Sequence, residues 1–273
     1  MNATDEWYNV DQPARDVWTI TEGGKFGSQL VVGEERALLI DAGAGVGDLR
    51  GMVDELVDVP VTLLLTHAHW DHVGNGHQFE DVLAHPLAHE GGRIVPEPLS
   101  LTPAAWAENW QAAGNELPDG FDPEAFELPP VTGVESVYPG TVLDLGGRSV
   151  ELLGTPGHAA EGLSVLDRET ASVFVSDVVH TDYDCYAHFP GGDLRAYRAT
   201  LSLLVDLFDA GAFETIHFTH VPPLEGQDCL LVREYRDGFE AILADALPFD
   251  ELGGEHPARR YRVAGNEILA PPG

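Results

Sequence analysis

The stretch from residue 61 to residue 72 constrains this chain more than any other. An apolar run, Val61-Thr62-Leu63-Leu64-Leu65, leads through Thr66 directly into His67-Ala68-His69-Trp70-Asp71-His72. A short apolar run of this kind fits a buried strand, so the cluster stands where a sheet edge opens into a loop. Such edges are the usual location of active sites in α/β proteins. Three imidazoles and a carboxylate this close together would be awkward in a core or on an inert surface. Neutral imidazole nitrogen and carboxylate oxygen are, however, the donors that hold zinc and similar divalent ions.

With 273 residues, 44% of them hydrophobic, the chain is long enough for one large domain or two small ones. Its charge is lopsided: 46 Asp and Glu against 14 Lys and Arg, a formal net charge of −32, with Lys25 as the single lysine. The acids are spread along the whole chain, so the acidity belongs to the entire surface. Such a surface repels itself at ordinary ionic strength, whereas at molar salt the Debye length falls to about 3 Å and the repulsion is screened. We read this as the surface of a protein from a salt-accumulating cytoplasm. It disfavours nucleic acid as a partner, because phosphate binding needs a basic stripe.

Cys185 and Cys229 make neither a CxxC pair nor a disulfide framework and read as reduced bystanders. Residues 1–16 are polar and acidic, without the basic start and apolar segment of a leader. No run approaches the ~18 apolar residues of a membrane-spanning helix. A cytoplasmic protein acting on a small molecule, with no membrane segment and with a homodimer allowed, is expected.

Short strand-like runs at 17–20, 30–32 and 37–41 precede the helical stretch 48–57 and the strand at 61–66, and another strand is expected at 82–84. Residues 95–133 break the rhythm. They are rich in Pro, Gly and Glu and carry one helix, Thr102 to Ala113, with Trp106 and Trp110 at i, i+4 on one face. This segment reads equally as an inserted cap or lid and as a surface excursion held down by its tryptophans. Strands resume at 141–145, 149–153, 163–167, 172–175 and 215–219, with helices at 193–208 and 229–246. The expected organisation is one domain, 1–273, built of two related halves, with the insert at 95–133 and a helical C-terminal segment at 228–273. The Pro/Gly-rich tail from Pro248 onward reads as irregular.

If residues 66–72 form a site, further ligands should stand at strand ends, and three do. His158 ends Gly154-Thr155-Pro156-Gly157-His158, Asp177 follows Val173-Phe174-Val175-Ser176, and His220 follows Ile216-His217-Phe218-Thr219. Gly and Pro around them free the backbone to turn. His-x-His-x-Asp-His, then Thr-Pro-Gly-His, then a strand-terminal Asp and a strand-terminal His resembles the metallo-β-lactamase-fold hydrolases over about residues 15–222. The resemblance implies an α+β or α/β chain folded as a four-layer αβ/βα sandwich with two divalent metal ions, zinc first and manganese or iron as alternatives.

Carried over by position, the resemblance assigns His67, His69 and His158 to the first metal and Asp71, His72 and His220 to the second, with Asp177 bridging. It implies hydrolysis of a thioester, ester or lactone by a metal-bridged hydroxide, which Asp71 would also orient. A bridging Asp177 and a ligand-type His72 are similar to the glyoxalase II branch. The chain departs from the pattern after His158, where Ala159-Ala160-Glu161-Gly162 stands in place of Thr-Pro-Gly-Ser. His180 occupies the position at which lactonases of this fold place a tyrosine, with Tyr183 three residues on. Both His180 and Tyr183 are candidate catalytic residues, His180 because an imidazole there could polarise a carbonyl or donate a proton.

Glyoxalase II enzymes grip glutathione with basic residues near a helical C-terminal extension. Here that region offers Arg233, Arg236, Arg259, Arg260 and Arg262. Two alternatives share the fold, a metal-dependent nuclease and a mono-iron persulfide dioxygenase. His77, His85, His89, His188, His217 and His256 fall outside the motif set and read as structural or exposed.

The charge balance predicts a thermal midpoint that rises steadily between 0.1 M and 2 M KCl, followed by differential scanning fluorimetry. A midpoint that does not move would remove the salt-adapted reading.

Overall fold

The apolar runs expected to be strands are strands, and those at 37–40, 172–176 and 215–218 end one or two residues before a ligand-type side chain. The computed structural model describes residues 7–96, 103–118, 121–181, 184–220, 222–254 and 256–272. They fall into two units, Met1–Val137 with Asp144–Arg148, and Tyr138–Leu143 with Ser149–Gly273.

The first unit contains β1 (Tyr8–Ala14), β2 (Val17–Glu22), β3 (Phe26–Val32), β4 (Ala37–Ile40), α1 (Leu49–Leu56), β5 (Val61–Leu65), α2 (Trp70–Val73) and β6 (Val82–Ala84). After these come β7 (Arg93–Ile94), α3 (Pro103–Ala112), β8 (Val131–Thr132) and β9 (Val134–Ser136). Seven strands form one sheet in the order β1-β2-β3-β4-β5-β6-β9. Pairing is antiparallel from β1 to β4 and parallel from β4 to β9. Strands β4 and β5 are buried throughout, which explains why both read as unbroken apolar runs rather than alternating ones. Helix α1 starts at Asp48, whose carboxylate caps it by accepting from Gly51 N.

The insert carries its helix where expected, as α3, although Thr102 lies outside the described residues. Trp106 is buried in the core of the first unit, with its ring 5.1 Å from Phe26 and 6.0 Å from Trp70, and Trp110 packs 5.5 Å behind it. The insert helix is therefore fastened to a residue of the His/Asp motif itself.

A buried carboxylate organises the turn after β4. Glu22 accepts from the backbone N–H of Ala44, Val46 and Gly47, from Trp7 Nε1 and from Asn75 Nδ2. Burial pushes its pKa above the ordinary carboxylate range, and the donors from Trp7 and the backbone pull against that. The same turn is stitched to residues 72–75, because Ala42 N donates to His72 O and Gly74 N to Gly43 O. Gly74 is required there, since a Cβ would run into the backbone of Ala44 and Gly45.

The second unit contains β10 (Val142–Asp144), β11 (Ser149–Gly154), β12 (Leu163–Asp167), β13 (Ser172–Ser176), β14 (Cys185–Tyr186), α4 (Leu194–Asp209), β15 (Thr215–Phe218), β16 (Leu224–Glu225), α5 (Leu231–Leu243), β17 (Asp250–Leu252), β18 (Ala258–Val263) and β19 (Asn266–Ala270). Its main sheet has the order β10-β11-β12-β13-β15-β16, with β13 and β15 parallel. Helices α4 and α5 bury Tyr197, Leu201, Tyr235 and Phe239 in this unit's own core.

The C-terminal segment differs from the expectation. It is helical only through α5; beyond Pro248 it is not irregular but forms β17, β18 and β19, which join β14 in a four-stranded sheet. Val263 pairs with Asn266 across the two-residue turn Ala264-Gly265, both residues having positive φ. Such a hairpin turn is usually signalled by Asn-Gly or Asp-Gly, so Ala-Gly concealed it. Among the described residues no helix is long and apolar enough to cross a membrane.

Replacing Glu22 by Ala strands three backbone donors, one buried and two partly buried, at about 1–3 kcal/mol for each left unsatisfied. Urea unfolding of Glu22→Ala should therefore show a loss of at least about 3 kcal/mol.

Candidate metal centre

In the first unit the ligand-type side chains are gathered by the parallel pairing of β4 and β5. Ile40 stands beside Leu64, so Asp41 and Thr66 leave the sheet next to each other. Asp41 is fully buried with φ +62, a left-handed conformation that Asp tolerates better than most residues. Its Oδ1 accepts from Thr66 N and Thr66 Oγ1 at 2.8 Å, and its Oδ2 lies 2.8 Å from His72 Nδ1. Thr66 Oγ1 in turn lies 3.0 Å from His67 Nδ1. One carboxylate thus sets the orientation of two histidines from behind, through the ring nitrogen that is not needed for a metal.

The front of the same histidines converges. The ring of His67 lies 4.4 Å from that of His69 and 4.1 Å from that of His72, and all three are buried. His67 with His69, His67 with His72, and Asp71 with His72 each bring ligand atoms within 4.8 Å of one another. Asp71 sits in the first turn of α2, with Oδ1 3.9 Å from His72 Nε2.

The second unit assembles its set in the same way. Strands β13 and β15 run parallel with Ser176 beside Phe218, so Asp177 and Thr219-His220 emerge together. Ser176 carries φ +50 at the register shift, and this turns Asp177 out of the strand. His158 follows β11 on a turn in which a Cβ at Gly157 would collide with Tyr197. His158 Nδ1 is held 2.9 Å from Tyr186 O, leaving Nε2 3.7 Å from Asp177 Oδ2. The other oxygen, Asp177 Oδ1, lies 3.4 Å from His220 Nε2.

These spacings test the fit of a metal. Two ligands each roughly 2.1 Å from a tetrahedral ion stand about 3.4 Å apart. The two sides of Asp177 match that edge, one imidazole to each oxygen, and the donor set of imidazole and carboxylate suits zinc, manganese or iron. The residues present therefore fit a divalent metal.

The turn from Asp177 to His180 is clamped from below. Tyr197 Oη donates to Asp177 O and Val178 O at 3.1 and 2.6 Å. Tyr235 Oη and Asn266 Nδ2 both donate to His180 O, at 2.7 and 3.1 Å. Burial pushes both tyrosine pKa values up, so the hydroxyls remain donors. His180 is buried, with its ring stacked 6.1 Å from that of His220. Tyr183 lies outside the described residues.

Of the histidines left outside the motif, His77 is within hydrogen-bond reach of Gly74 O and His89 of Ser136 Oγ, while His85 accepts from Leu87 N. His217 stacks on Phe174, and burial pushes its pKa down to about 4. Cys185 and Cys229 are buried and not disulfide-bonded, and burial pushes their thiols up to about 12 and about 11, so neither is an activated nucleophile.

The family model described as metallo-beta-lactamase superfamily matches residues 24–210, more than half of the chain. The chain belongs to the metallo-beta-lactamase superfamily. Among curated proteins it is 27% identical over 225 residues to acyl-coenzyme A thioesterase MBLAC2 of Gallus gallus, covering 77% of this chain and 79% of that one. It is 28% identical over 170 residues to hydroxyacylglutathione hydrolase GloC of Haemophilus influenzae, covering 62% and 73%. Among solved structures, a metallo-beta-lactamase from Pontibacter korlensis superposes with a TM-score of 0.58 at 17% identity, covering 85% of this chain and 99% of that one. The fold is thus the metallo-β-lactamase fold, the class the motifs imply.

Asp41, Tyr197, Tyr235 and Asn266 escaped the sequence reading as members of the site. Asp41 had a usable signal, being a carboxylate at a strand end like Asp177, but the glycines after it read as a plain turn. Outer partners of metal-ligating histidines typically contribute 10–100-fold in metal affinity. Asp41→Ala should weaken zinc binding by about that factor in competition with a chromophoric chelator.

Proposed function

We propose that the chain is a dinuclear metal-dependent thioester hydrolase of the glyoxalase II-like kind. The reading rests above all on Asp177, whose two oxygens face two different imidazoles at 3.7 and 3.4 Å. A carboxylate so placed suits a bridge between two ions rather than a ligand of one. His67 and His69 with His158 would hold the first ion, and Asp71 and His72 with His220 the second. Zinc is the expected metal.

Divalent ions held there would supply Lewis-acid polarisation of a carbonyl and a water acidified to act as nucleophile near neutral pH. The chain's own residues supply orientation and proton handling. Asp71 accepts the hydrogen bond that aims the attacking water. His180, packed beside His220, offers a ring N–H to the carbonyl oxygen as charge develops there. No residue need protonate the leaving group of a thioester, because a thiol with a pKa of about 8.5 departs as thiolate. This absence of a general-acid requirement, with a thioesterase and a hydroxyacylglutathione hydrolase among the relatives, favours thioesters over esters and lactones. Tyr183 is proposed with His180 as a substrate-facing residue. The acidic composition supports work in a salt-rich cytoplasm.

Substituting Asp177 by Ala should lower metal content, measured by mass spectrometry, together with thioester hydrolysis followed by thiol release at molar salt. A variant that keeps full activity with less than one metal per chain would overturn the proposal. His180→Gln should reduce kcat while leaving metal content intact.

A further inference from the structure

In the second unit, four aromatic side chains gather beside the proposed ligand His158. Strand alternation puts Tyr186 and His188 on the same side of the segment that follows the Asp177–His180 turn, with rings 5.9 Å apart. Both are half-buried, whereas Cys185 and Ala187 between and before them point into the core. Phe189 packs 5.4 Å from Tyr186 and 4.2 Å from His188. His256, from the loop between β17 and β18, stands edge-on to Phe189 at 5.4 Å. The backbone of this cluster is tied to the site, since Tyr186 O is the partner of His158 Nδ1. His188 Nδ1 is enclosed, and the His188 ring interacts with the backbone of Leu269.

Several cationic groups that could otherwise grip a substrate in this unit are already engaged. Arg260 and Arg262 pair with Asp250 and Glu267, Arg233 pairs with Asp209, and Arg259 lies over Phe249. In a chain of net charge −32, ionic recognition of a thiol carrier has little left to use. Stacking on a ring face is not screened by salt as an ion pair is.

We propose that Tyr186, His188 and His256, backed by the buried Phe189, form a stacking shelf for a planar π group of the substrate. The group is either the nucleobase of the thiol carrier or an aryl ring of the acyl moiety. This deepens the thioester reading and rests on it for the substrate.

The test uses the metal-loaded full chain at molar salt. In one arm, acetyl-coenzyme A is compared with acetylpantetheine, which lacks the nucleotide. In the other, the benzoyl and cyclohexanecarbonyl thioesters of N-acetylcysteamine are compared. In at least one arm the planar member should have a KM lower by about five- to fifty-fold, the range that stacking on an aromatic ring supports. His188→Ala with His256→Ala should erase that difference, and His188→Phe should restore most of it by keeping a planar ring.

The arm that responds identifies the source of the ring. A preference absent from both arms, or one that survives the double substitution, overturns the shelf. Should no thioester be turned over, calorimetric titration with adenosine 5′-monophosphate and with benzoyl-N-acetylcysteamine decides the shelf separately. Binding lost in the double variant sustains the shelf while removing the thioesterase reading. No binding in the unsubstituted protein removes both.

Discussion

The carboxylate of Asp41 is the contact on which the arrangement of His67 and His72 depends. It is fully buried and held in a left-handed backbone conformation, and it receives Thr66 N, Thr66 Oγ1 and the Nδ1 edge of His72. A buried carboxylate that lost these donors would face a large desolvation cost, so the arrangement holds or fails as a whole. The result is directional. With Nδ1 of His72 engaged from behind, Nε2 must face forward, and the proximity of Thr66 Oγ1 does the same for His67. Glu22 has a comparable role in the same unit, drawing in the backbone N–H groups of the turn that grips residues 72–75.

In the second unit, hydroxyl and amide donors do the equivalent work on a turn rather than a ring. Tyr197, Tyr235 and Asn266 come from α4, α5 and β19, and together they satisfy the carbonyls of Asp177, Val178 and His180. The C-terminal elements therefore act on the chemistry without supplying a ligand. They hold the backbone from which Asp177 presents one oxygen to His158 and the other to His220. This also explains how an acidic chain can spend its few arginines on surface ion pairs, because the site is shaped by neutral donors that salt does not screen.

Much of this was legible in the chain of letters, and the reason is local. Val61–Leu65, Ala37–Ile40 and Ser172–Ser176 are buried on both faces, so their composition alone marks them as strands, and ligand-type residues directly after such runs must lie at a sheet edge. Helix α4 announced itself through its apolar spacing, and the structure adds Asp48 and Asp193 as the caps of α1 and α4. The C-terminal strands did not, because β18 interleaves three arginines with Tyr261 and Val263, and the Ala264-Gly265 turn lacks the usual residues.

By itself the sequence determined the ligand-type residues, their order and the strand ends that carry them, since those follow from residue type and short-range periodicity. Only the tertiary structure decided which groups stand behind the ligands. Asp41 reaches His72 across 31 positions and Asn266 reaches His180 across 86. Contacts of that range are created by strand register and helix packing, which no local pattern encodes. The same holds for Trp106, a helix-face residue in the sequence that the fold places against Trp70, inside the motif with which the chain announces its chemistry.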